Sequence, residues 1–489
     1  MKIMYSPTIC RASSYQQSFV QFMTQNFSRE VLEEEPKTNL LYSEQGFFIE
    51  ENNEILFYSG YLLAIMKNYR QEEIKIKSTI SKYKSKTPQL PDLLYKHQKK
   101  ILNSIFKRKR GLVQSPTGSG KSFVISECVK QFYNEGMSII ITVPTIDLLN
   151  QLKSDILSYA TLVDFKLVES DIGLIGGGNF DTDLSYKIHI AIPQSLCKLK
   201  KTKKLLNKCQ VFIADEVHTT ATPTYGSIID ECINTQIRIG LSATPWTNQN
   251  NHKLLHGFFG NIICSVTESD MINDGVIMEP HFLFYTSPKG FVPKKIGEFA
   301  ANIGNLSTGH RYKILNQVYN YLILNNNGRN KKIVELAIQR STPDLGPVII
   351  IVNKVNDIGK KVGHATILKT MFEAKGKEVS VISGSIKKKD RVSIIEDLKN
   401  SNIDIVIAGP KVLTAGVNIP SLSTAILAGA GKSDSDLIQR IGRLLRKKQG
   451  KERPLVIDFM DTQFWFENQS YTRMNVIKSV YGDKNINVI

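Results

Sequence analysis

The stretch "VQSPTGSGKSFVI", residues 113–125, runs from apolar residues through small and polar ones to a lysine and a serine, then becomes apolar again. Its Gly120-Lys121-Ser122 fits the end of a nucleotide-binding P-loop, although Ser115 stands where the strict pattern has glycine. Small residues let successive backbone N–H groups turn inward and cradle phosphate oxygens. We predict a buried strand before the loop and a helix over 122–133 after it, which places the phosphates at a helix N-terminus. A Gly/Ser turn with an unrelated lysine is the alternative.

Positive charge dominates the chain. Its 63 lysines and arginines outnumber 45 aspartates and glutamates, and the formal net charge is +18. The excess lies in several separate clusters, at 107–110, 198–204, 387–391 and 446–453. Charge spread in this way favours a polyanion-binding surface, with nucleic acid as the leading partner, over a charged tail. Charge that serves only solubility is the alternative.

Length and composition limit the class of protein. A chain of 489 residues is too long for one core and predicts two or three domains. No apolar run reaches about 18 residues, which argues against a membrane span, and the first ten residues lack the apolar segment of a signal peptide. The six cysteines are scattered without a CxxC pair. Their spacing argues against a zinc site or a disulfide framework and suits a reducing compartment.

Residues 1–88 differ from the rest, and we predict a small α+β accessory module there. Apolar runs flank Glu51-Asn-Asn-Glu54 within 46–60, which is typical of a β-hairpin. A short helix is expected over 61–70 and a polar linker over 77–91. The aromatic residues of the hairpin either stack on bases exposed where strands separate or form the module's own core: Phe47, Phe48, Phe57 and Tyr58.

From Tyr95 onward, apolar β-type runs alternate with helical segments, as in parallel sheets covered on both faces. Two series of five strands are predicted: 112–114, 138–143, 188–192, 211–214 and 237–241, then 348–352, 379–382, 403–408, 424–428 and 455–459. The break between them contains "NNNGRN" (325–330), which is expected to be too polar for a core. We therefore predict an α/β fold with domains at 1–88, 89–248 and 249–489.

Polar residues follow the predicted strands at the carboxyl ends, where open α/β sheets bind ligands. "DEVH" (215–218) follows strand 211–214, and such a carboxylate pair can hold Mg²⁺ and position or deprotonate an attacking water. "SATP" (242–245) follows another strand, with hydroxyls placed to sense the acidic pair. Pro144-Thr145 and Gln194-Ser195 offer groups suited to backbone phosphates. A solvated loop is the alternative for each.

A basic segment in the second series adds a further element. Gln439, Arg443 and Arg446 are spaced so that a helix puts them on one face. They are similar to an arginine-finger element, which stabilises charge developing on a γ-phosphate, and a basic surface helix is the alternative. If these arginines and the P-loop belong to different sheet domains, ATP lies between the domains. Hydrolysis would then open and close a cleft on a polyanion, as in a motor.

With these motifs in this order, the chain resembles the superfamily-2 helicases over about residues 90–460. "LYKHQKKIL" (94–102) resembles their adenine-recognition segment, and the other helicase motifs are "SPTGSGKS" (115–122), "VPTIDLLNQL" (143–152), "IPQSL" (192–196), "DEVH", "SATP", "TAGVN" (414–418) and "QRIGRLLR" (439–446). Within the superfamily the chain is most similar to UvsW-type phage helicases, through "IGGGN" (175–179), "MINDGVIMEP" (271–280) and a comparable N-terminal module. The implied fold has two RecA-like parallel-sheet domains in tandem after a small α+β domain.

The resemblance also implies roles for matched residues, with ATP and Mg²⁺ as cofactors. Catalysis is assigned to Lys121, Asp215, Glu216, Gln439, Arg443 and Arg446, and the metal to Ser122 and Asp215. The nucleotide is assigned to His97, Gln98, Pro116, Thr117, Gly118, Ser119, Gly120, Lys121, Ser122 and Gly416. DNA is assigned to Pro144, Thr145, Gly177, Gln194, Ser195, Ser383, Gly384 and Thr414. Tyr95 stands where many relatives have an arginine that contacts adenine, which puts selectivity for the ATP base in doubt. Asn418 stands where many have aspartate, which puts the coupling between the DNA and ATP sites in doubt.

One function and two alternatives follow. We expect an ATP-dependent DNA helicase or translocase that remodels branched DNA in recombination and repair, as a monomer in the cytoplasm, the host's if the protein is phage-encoded. An RNA helicase is the first alternative, disfavoured because DEAD-box RNA helicases have DEAD for DEVH and histidine for Gln439. A nucleic-acid clamp with an inactive ATPase fold is the second. It is disfavoured because five residues of the ATPase site are intact: Lys121, Asp215, Glu216, Arg443 and Arg446.

Overall fold

The structure is a computed structural model of the chain. It describes residues 1–27, 48–70, 73–78, 88–245, 251–357, 362–384, 386–400, 402–410, 421–429, 441–442, 447 and 451–489. The chain divides into two compact units, Met1–Val266 and Thr267–Ile489. Seven residues singled out from the sequence lie outside the described residues: Phe47, Thr414, Gly416, Asn418, Gln439, Arg443 and Arg446.

The first unit begins with the N-terminal module, a five-stranded sheet in the order β3-β4-β2-β1-β5. The strands are β1 (Lys2–Tyr5), β2 (Ile9–Ser13), β3 (Phe48–Glu51), β4 (Glu54–Tyr58) and β5 (Lys75–Ser78), and the helices are α1 (Gln17–Phe27) and α2 (Leu62–Asn68). Asn52 and Asn53 join β3 to β4 with φ of 50° and 60°, as a two-residue hairpin turn requires, so the predicted hairpin is confirmed. The predicted linker starts too early, because Lys77 and Ser78 pair with β1.

The rest of the first unit, here called the P-loop domain, is built on a sheet in the order β13-β6-β12-β11-β7-β10-β8-β9. The strands are β6 (Arg110–Gln114), β7 (Ile139–Thr142), β8 (Ile172–Gly176), β9 (Asn179–Phe180), β10 (Ile188–Ala191), β11 (Val211–Ala214), β12 (Ile237–Ser242) and β13 (Ile262–Ser265). The helices are α3 (Lys96–Arg108), α4 (Lys121–Asn134), α5 (Ile146–Leu162), α6 (Pro193–Leu196), α7 (Leu199–Lys208), α8 (Pro223–Glu231) and α9 (Asn251–Phe259). Only the β8–β9 pair is antiparallel among the described strands of this sheet.

The boundary between the units differs from the predicted one after residue 248. α9 and β13 belong to the first unit, because β13 extends the sheet in parallel beside β6. The unit therefore ends at Val266. A four-residue strand at a sheet edge leaves too short an apolar run to be recognised from periodicity alone.

The second unit holds a parallel sheet in the order β16-β17-β15-β18-β19-β14-β20. The strands are β14 (His281–Thr286), β15 (Val348–Ile351), β16 (Ser380–Ile382), β17 (Ile405–Ala408), β18 (Thr424–Leu427), β19 (Leu455–Met460) and β20 (Ile486–Val488). The helices are α10 (Glu268–Asn273), α11 (Lys294–Ala301), α12 (Thr308–Tyr319), α13 (Asn327–Arg340), α14 (His364–Glu373), α15 (Lys388–Lys399) and α16 (Trp465–Tyr481). The predicted fold class, two parallel-sheet domains after a small α+β module, is confirmed. No helix in the described ranges is long and apolar enough to cross a membrane.

Half of the polar segment 325–330 is buried in the second unit, so the expectation that it is too polar for a core was wrong for Asn326, Arg329 and Asn330. The other three residues of the segment are exposed. Asn326 caps α13 by accepting a hydrogen bond from the Arg329 N–H. Arg329 has 0% of its surface exposed, and its guanidinium donates to Asp461 (Nε to Oδ1, 3.0 Å) and to the Ala428 carbonyl (2.8 Å). Asn330 donates to the Leu324 carbonyl at 2.8 Å. Polar side chains are stable in a core when each has partners, which composition does not reveal.

Candidate nucleotide and nucleic-acid site

The loop between β6 and α4 turns at two glycines. Gly118 and Gly120 have φ of 85° and 73°, in the left-handed region that glycine adopts without strain. A Cβ on Gly120 would also overlap the Gln98 side-chain amide. The buried hydroxyls of Ser115 and Ser119 have no hydrogen-bond partner among the described residues. The loop therefore offers free hydroxyls and the N-terminus of a 14-residue helix, a combination that fits a phosphate group.

His97 and Gln98 brace this loop from α3. The Ser119 carbonyl lies 2.9 Å from His97 Nε2 and accepts from Gln98 Nε2 at 3.1 Å. Gln98 Oε1 accepts from the Tyr95 N–H at 3.0 Å, and only 3% of the Gln98 surface is exposed. The structure thus gives both side chains a role in holding the loop. Their direct contact with an adenine base stays a prediction.

The acidic pair after β11 lies beside the P-loop lysine. Lys121 Nζ is 3.8 Å from Glu216 Oε1 and donates to the Ser115 carbonyl at 3.3 Å. Glu216 has a φ of 47°, an uncommon value for a residue with a side chain, and its N–H donates to Asp215 Oδ1 at 3.0 Å. The structure thus brings together Lys121, Asp215 and Glu216, as their positions at the strand ends predict.

Asp215 is in a position suited to a cation. Burial and, after it, the charge of Glu216 raise the pKa of its carboxyl to about 7, while Lys121 opposes the shift. A divalent cation at this carboxylate would favour the ionised form. Ser122, in the first turn of α4, adds a hydroxyl oxygen, and oxygen donors are those that Mg²⁺ prefers. The donor types therefore fit Mg²⁺.

The SATP segment is linked to the acidic pair through His218. Ser242 Oγ lies 2.8 Å from His218 Nδ1, and the same nitrogen is 3.5 Å from Glu216 Oε2. The Thr244 N–H donates to Ser242 Oγ at 3.2 Å. A movement of the Glu216 side chain can therefore shift the end of β12 through the His218 imidazole. This is in line with the predicted role of these hydroxyls in sensing the acidic pair.

Several residues predicted to contact DNA lie at the same edge of the P-loop sheet, at the ends of the neighbouring strands β7, β10 and β8. Thr145 is exposed and caps α5, accepting from the Leu148 N–H at 3.3 Å. Gly177 has a φ of 63°, and a Cβ there would lie 2.9 Å from Ile146 Cγ2. This set is called the strand-end row: Pro144, Thr145, Gly177, Gln194 and Ser195. Ser383 and Gly384 follow β16, at the edge of the second unit's sheet.

The hairpin aromatics described by the structure pack within the protein instead of facing solvent. Phe57 is 2% exposed in the core of the N-terminal module, and Phe48 packs against the same core. The Tyr58 ring lies 4.9 Å from the Phe258 ring of α9. The sequence left two roles open for these aromatic residues, packing in the module's core and stacking on DNA bases. The structure shows core packing, and base stacking by Phe57 was wrong.

Comparisons with known proteins agree with these motifs. Residues 92–247 match the family "Type III restriction enzyme, res subunit", and residues 328–448 match "Helicase conserved C-terminal domain". Putative helicase 22 of Sulfolobus islandicus filamentous virus is 27% identical over 384 residues, 76% of this chain and 64% of that protein. The ATP-dependent DNA helicase uvsW of Enterobacteria phage T4 is 26% identical over 361 residues, 72% of this chain and 66% of that protein. The chain thus spans just under two thirds of both relatives.

One solved structure shows the likeness in fold. Dbp5 of S. cerevisiae, bound to RNA and ADP BeF3, superimposes with a TM-score of 0.53 at 18% identity, over 81% of this chain and 89% of that one. At this identity the likeness concerns the fold alone. It supports two RecA-like parallel-sheet domains in tandem, as the motif order predicts.

Proposed function

Because this chain is a superfamily-2 helicase, an enzyme driven by ATP, we propose that it is a DNA translocase that remodels branched DNA such as forks, D-loops and four-way junctions. The observation that carries the proposal is the contact between Lys121 and Glu216, beside the buried Asp215. It supports an intact ATPase centre and disfavours a clamp that has lost its chemistry. The similarity to a phage DNA helicase favours DNA as the substrate.

We assign the steps of ATP hydrolysis to this chain's own residues. Lys121 binds the β- and γ-phosphates, and the N-terminus of α4 orients them. Glu216 positions the attacking water and accepts its proton. Mg²⁺, when bound by Ser122 and Asp215, neutralises phosphate charge. Gln439, Arg443 and Arg446, outside the described residues, are proposed to stabilise the transition state, with Gly416 at the nucleotide.

The strand-end row is proposed to hold one strand of DNA by its phosphates. Thr145 offers a hydroxyl, Gln194 an amide, and Gly177 lets the backbone come close. In the second unit Ser383, Gly384 and Thr414 are proposed to do the same. Such contacts do not read sequence, as a translocase requires. The choice of branched DNA over plain duplex is proposed to belong to the N-terminal module.

The rate of ATP hydrolysis across a panel of nucleic acids tests this function. The panel is buffer alone, single-stranded DNA, duplex DNA, a four-way junction and RNA of matched length. We expect DNA to stimulate hydrolysis, the junction most of all. Stimulation by RNA alone would make the protein an RNA helicase, and binding without any stimulated hydrolysis would make it a clamp. A Glu216→Gln control separates the protein's own activity from contaminating ATPase.

A further inference from the structure

A group of lysines beside the strand-end row has no role in the chemistry described above. α7 follows α6 directly and contains five lysines and no acidic residue. Its inner side is buried against the P-loop domain core through Thr202, Leu205 and Leu206. The lysines therefore face outward, next to Gln194 and Ser195 in the chain.

Three lysines, one directly before α7 and two within it, form a row, here called the lysine row: Lys198, Lys201 and Lys204. Lys201 and Lys204 are three residues apart in α7 and are neighbours on the helix surface, about 5–6 Å apart between Cβ atoms. Lys198 directly precedes the helix, three residues before Lys201. All three are exposed. No carboxylate in the described part of the chain pairs with any of them, whereas Lys203, on another side of α7, lies 2.9 Å from Glu231.

Phe180 holds the first two members of the row in place. The ammonium nitrogens of Lys198 and Lys201 lie 5.8 Å and 5.5 Å from the centre of its ring. A cation above an aromatic face is attracted to the ring, which limits the conformations of a long side chain. Phe180 lies on β9, three residues after Gly177. The ring thus connects the lysine row to the strand-end row.

We propose that the lysine row binds the phosphate backbone of DNA where it leaves the strand-end row, as a second contact that reads no sequence. The proposal rests on the proposed DNA translocase function. Three neighbouring ammonium groups on one exposed surface can contact successive phosphates of one strand. The uncompensated charge favours this ligand, because phosphate contacts by lysine release counterions from the DNA. Phe180 reduces the loss of side-chain freedom on binding.

The test is the salt dependence of DNA binding by the full chain. A triple variant, Lys198→Gln, Lys201→Gln and Lys204→Gln, is compared with the wild type on duplex DNA and on single-stranded DNA of equal length. Each phosphate contact contributes about 0.9 to the slope of log K against log[salt] for duplex and about 0.7 for a single strand. We expect the slope to fall by roughly 2–3 in the triple variant. The control is Lys203→Gln, which removes a paired lysine from the same helix and is expected to leave the slope unchanged.

Each outcome has one meaning. A fall on duplex only identifies duplex DNA as the ligand, and a fall on both identifies a single strand of the backbone. An unchanged slope in a triple variant with the wild-type unfolding temperature would overturn the lysine row but leave the translocase function standing. Wild-type protein that neither binds DNA nor hydrolyses ATP faster with it would overturn both.

Discussion

At the scale of single residues, the contact between Lys121 and Glu216 brings the proposed phosphate-binding lysine next to the proposed base. Because the two side chains have different roles, their variants should fail differently. Lys121→Ala is expected to weaken nucleotide binding, since it removes the charge proposed to contact the β- and γ-phosphates. Glu216→Gln is expected to bind ATP but turn over roughly 10²-fold more slowly or worse. Titration calorimetry and kcat measured on DNA separate the two effects, and normal turnover by Glu216→Gln would remove Glu216 from the mechanism.

A second residue-scale prediction concerns pH and His364, which is fully buried in the second unit. Burial and, after it, the nearby Arg329 charge lower the pKa of this imidazole to about 3. In this pH range His364 is protonated in the unfolded chain but stays neutral in the folded chain. The free energy of unfolding therefore falls as the pH drops below about 6.5. Between pH 6.5 and 5 the loss from this residue is about 2 kcal/mol.

His364→Gln should therefore lower stability at neutral pH but weaken its dependence on pH. The measurement is the thermal unfolding midpoint between pH 7 and 5, with the exposed His310→Gln as control. An acid-induced loss of equal size in wild type and His364→Gln would show that His364 becomes protonated without unfolding.

At the scale of elements, the predicted strands are found because their apolar runs are local and uninterrupted. The run at 211–214 coincides with β11, and Asp215 and Glu216 follow at its end. What the sequence could not show depends on distant contacts. Gln98 is held by the P-loop 21 residues away, and Arg329 is buried by Asp461, 132 residues away. Local patterns predict which residues lie at a strand end but not which distant side chains hold them there.

A close approach between two elements gives a prediction at this scale. The 3₁₀ turn Ser59–Tyr61 lies against α9, and a Cβ on Gly60 would overlap the His256 carbonyl oxygen. Backbone cannot yield as a flexible side chain does, so Gly60→Ala should destabilise the first unit by about 1–3 kcal/mol. Gly309→Ala, in the second unit, is the control for an added methyl group, because no atom outside its own helix and chain neighbours lies within 4 Å of it. Equal unfolding temperatures for the two variants would show that the turn and α9 separate at little cost.

At the scale of the whole molecule, the N-terminal module and the P-loop domain form one unit. Arg110, at the start of β6, donates to the Pro7 carbonyl at 2.7 Å and to the Phe258 carbonyl at 3.2 Å. The Tyr61 hydroxyl donates to the Lys253 carbonyl at 2.6 Å. These bonds connect the module to β6, the strand that leads into the P-loop. We therefore expect DNA bound to the module to be coupled to the nucleotide site through these contacts.

This connection predicts the result of removing residues 1–88. The truncated chain loses the carbonyl and hydroxyl partners of Arg110 and uncovers the Phe258 ring that Tyr58 packs on. We expect a lower unfolding temperature and reduced ATPase even on simple DNA, because the defect spreads to β6 and α9. Truncation alone therefore cannot show whether the module selects branched DNA.

Substitutions on the module's uncovered sheet face can show it, since they leave the Arg110 contacts in place. Arg11 and Lys77 flank Met4 in one row across β2, β1 and β5, and all three are exposed on the face opposite α1 and α2. The double variant Arg11→Gln, Lys77→Gln should weaken binding to a four-way junction more than binding to duplex DNA. The reason is that a module that selects junctions contacts the junction and not the plain duplex. The ratio of the two dissociation constants, measured at one salt concentration, is the readout. If that ratio is unchanged while the lysine-row variant loses affinity for both DNAs, the choice of branched DNA is made outside this face of the module.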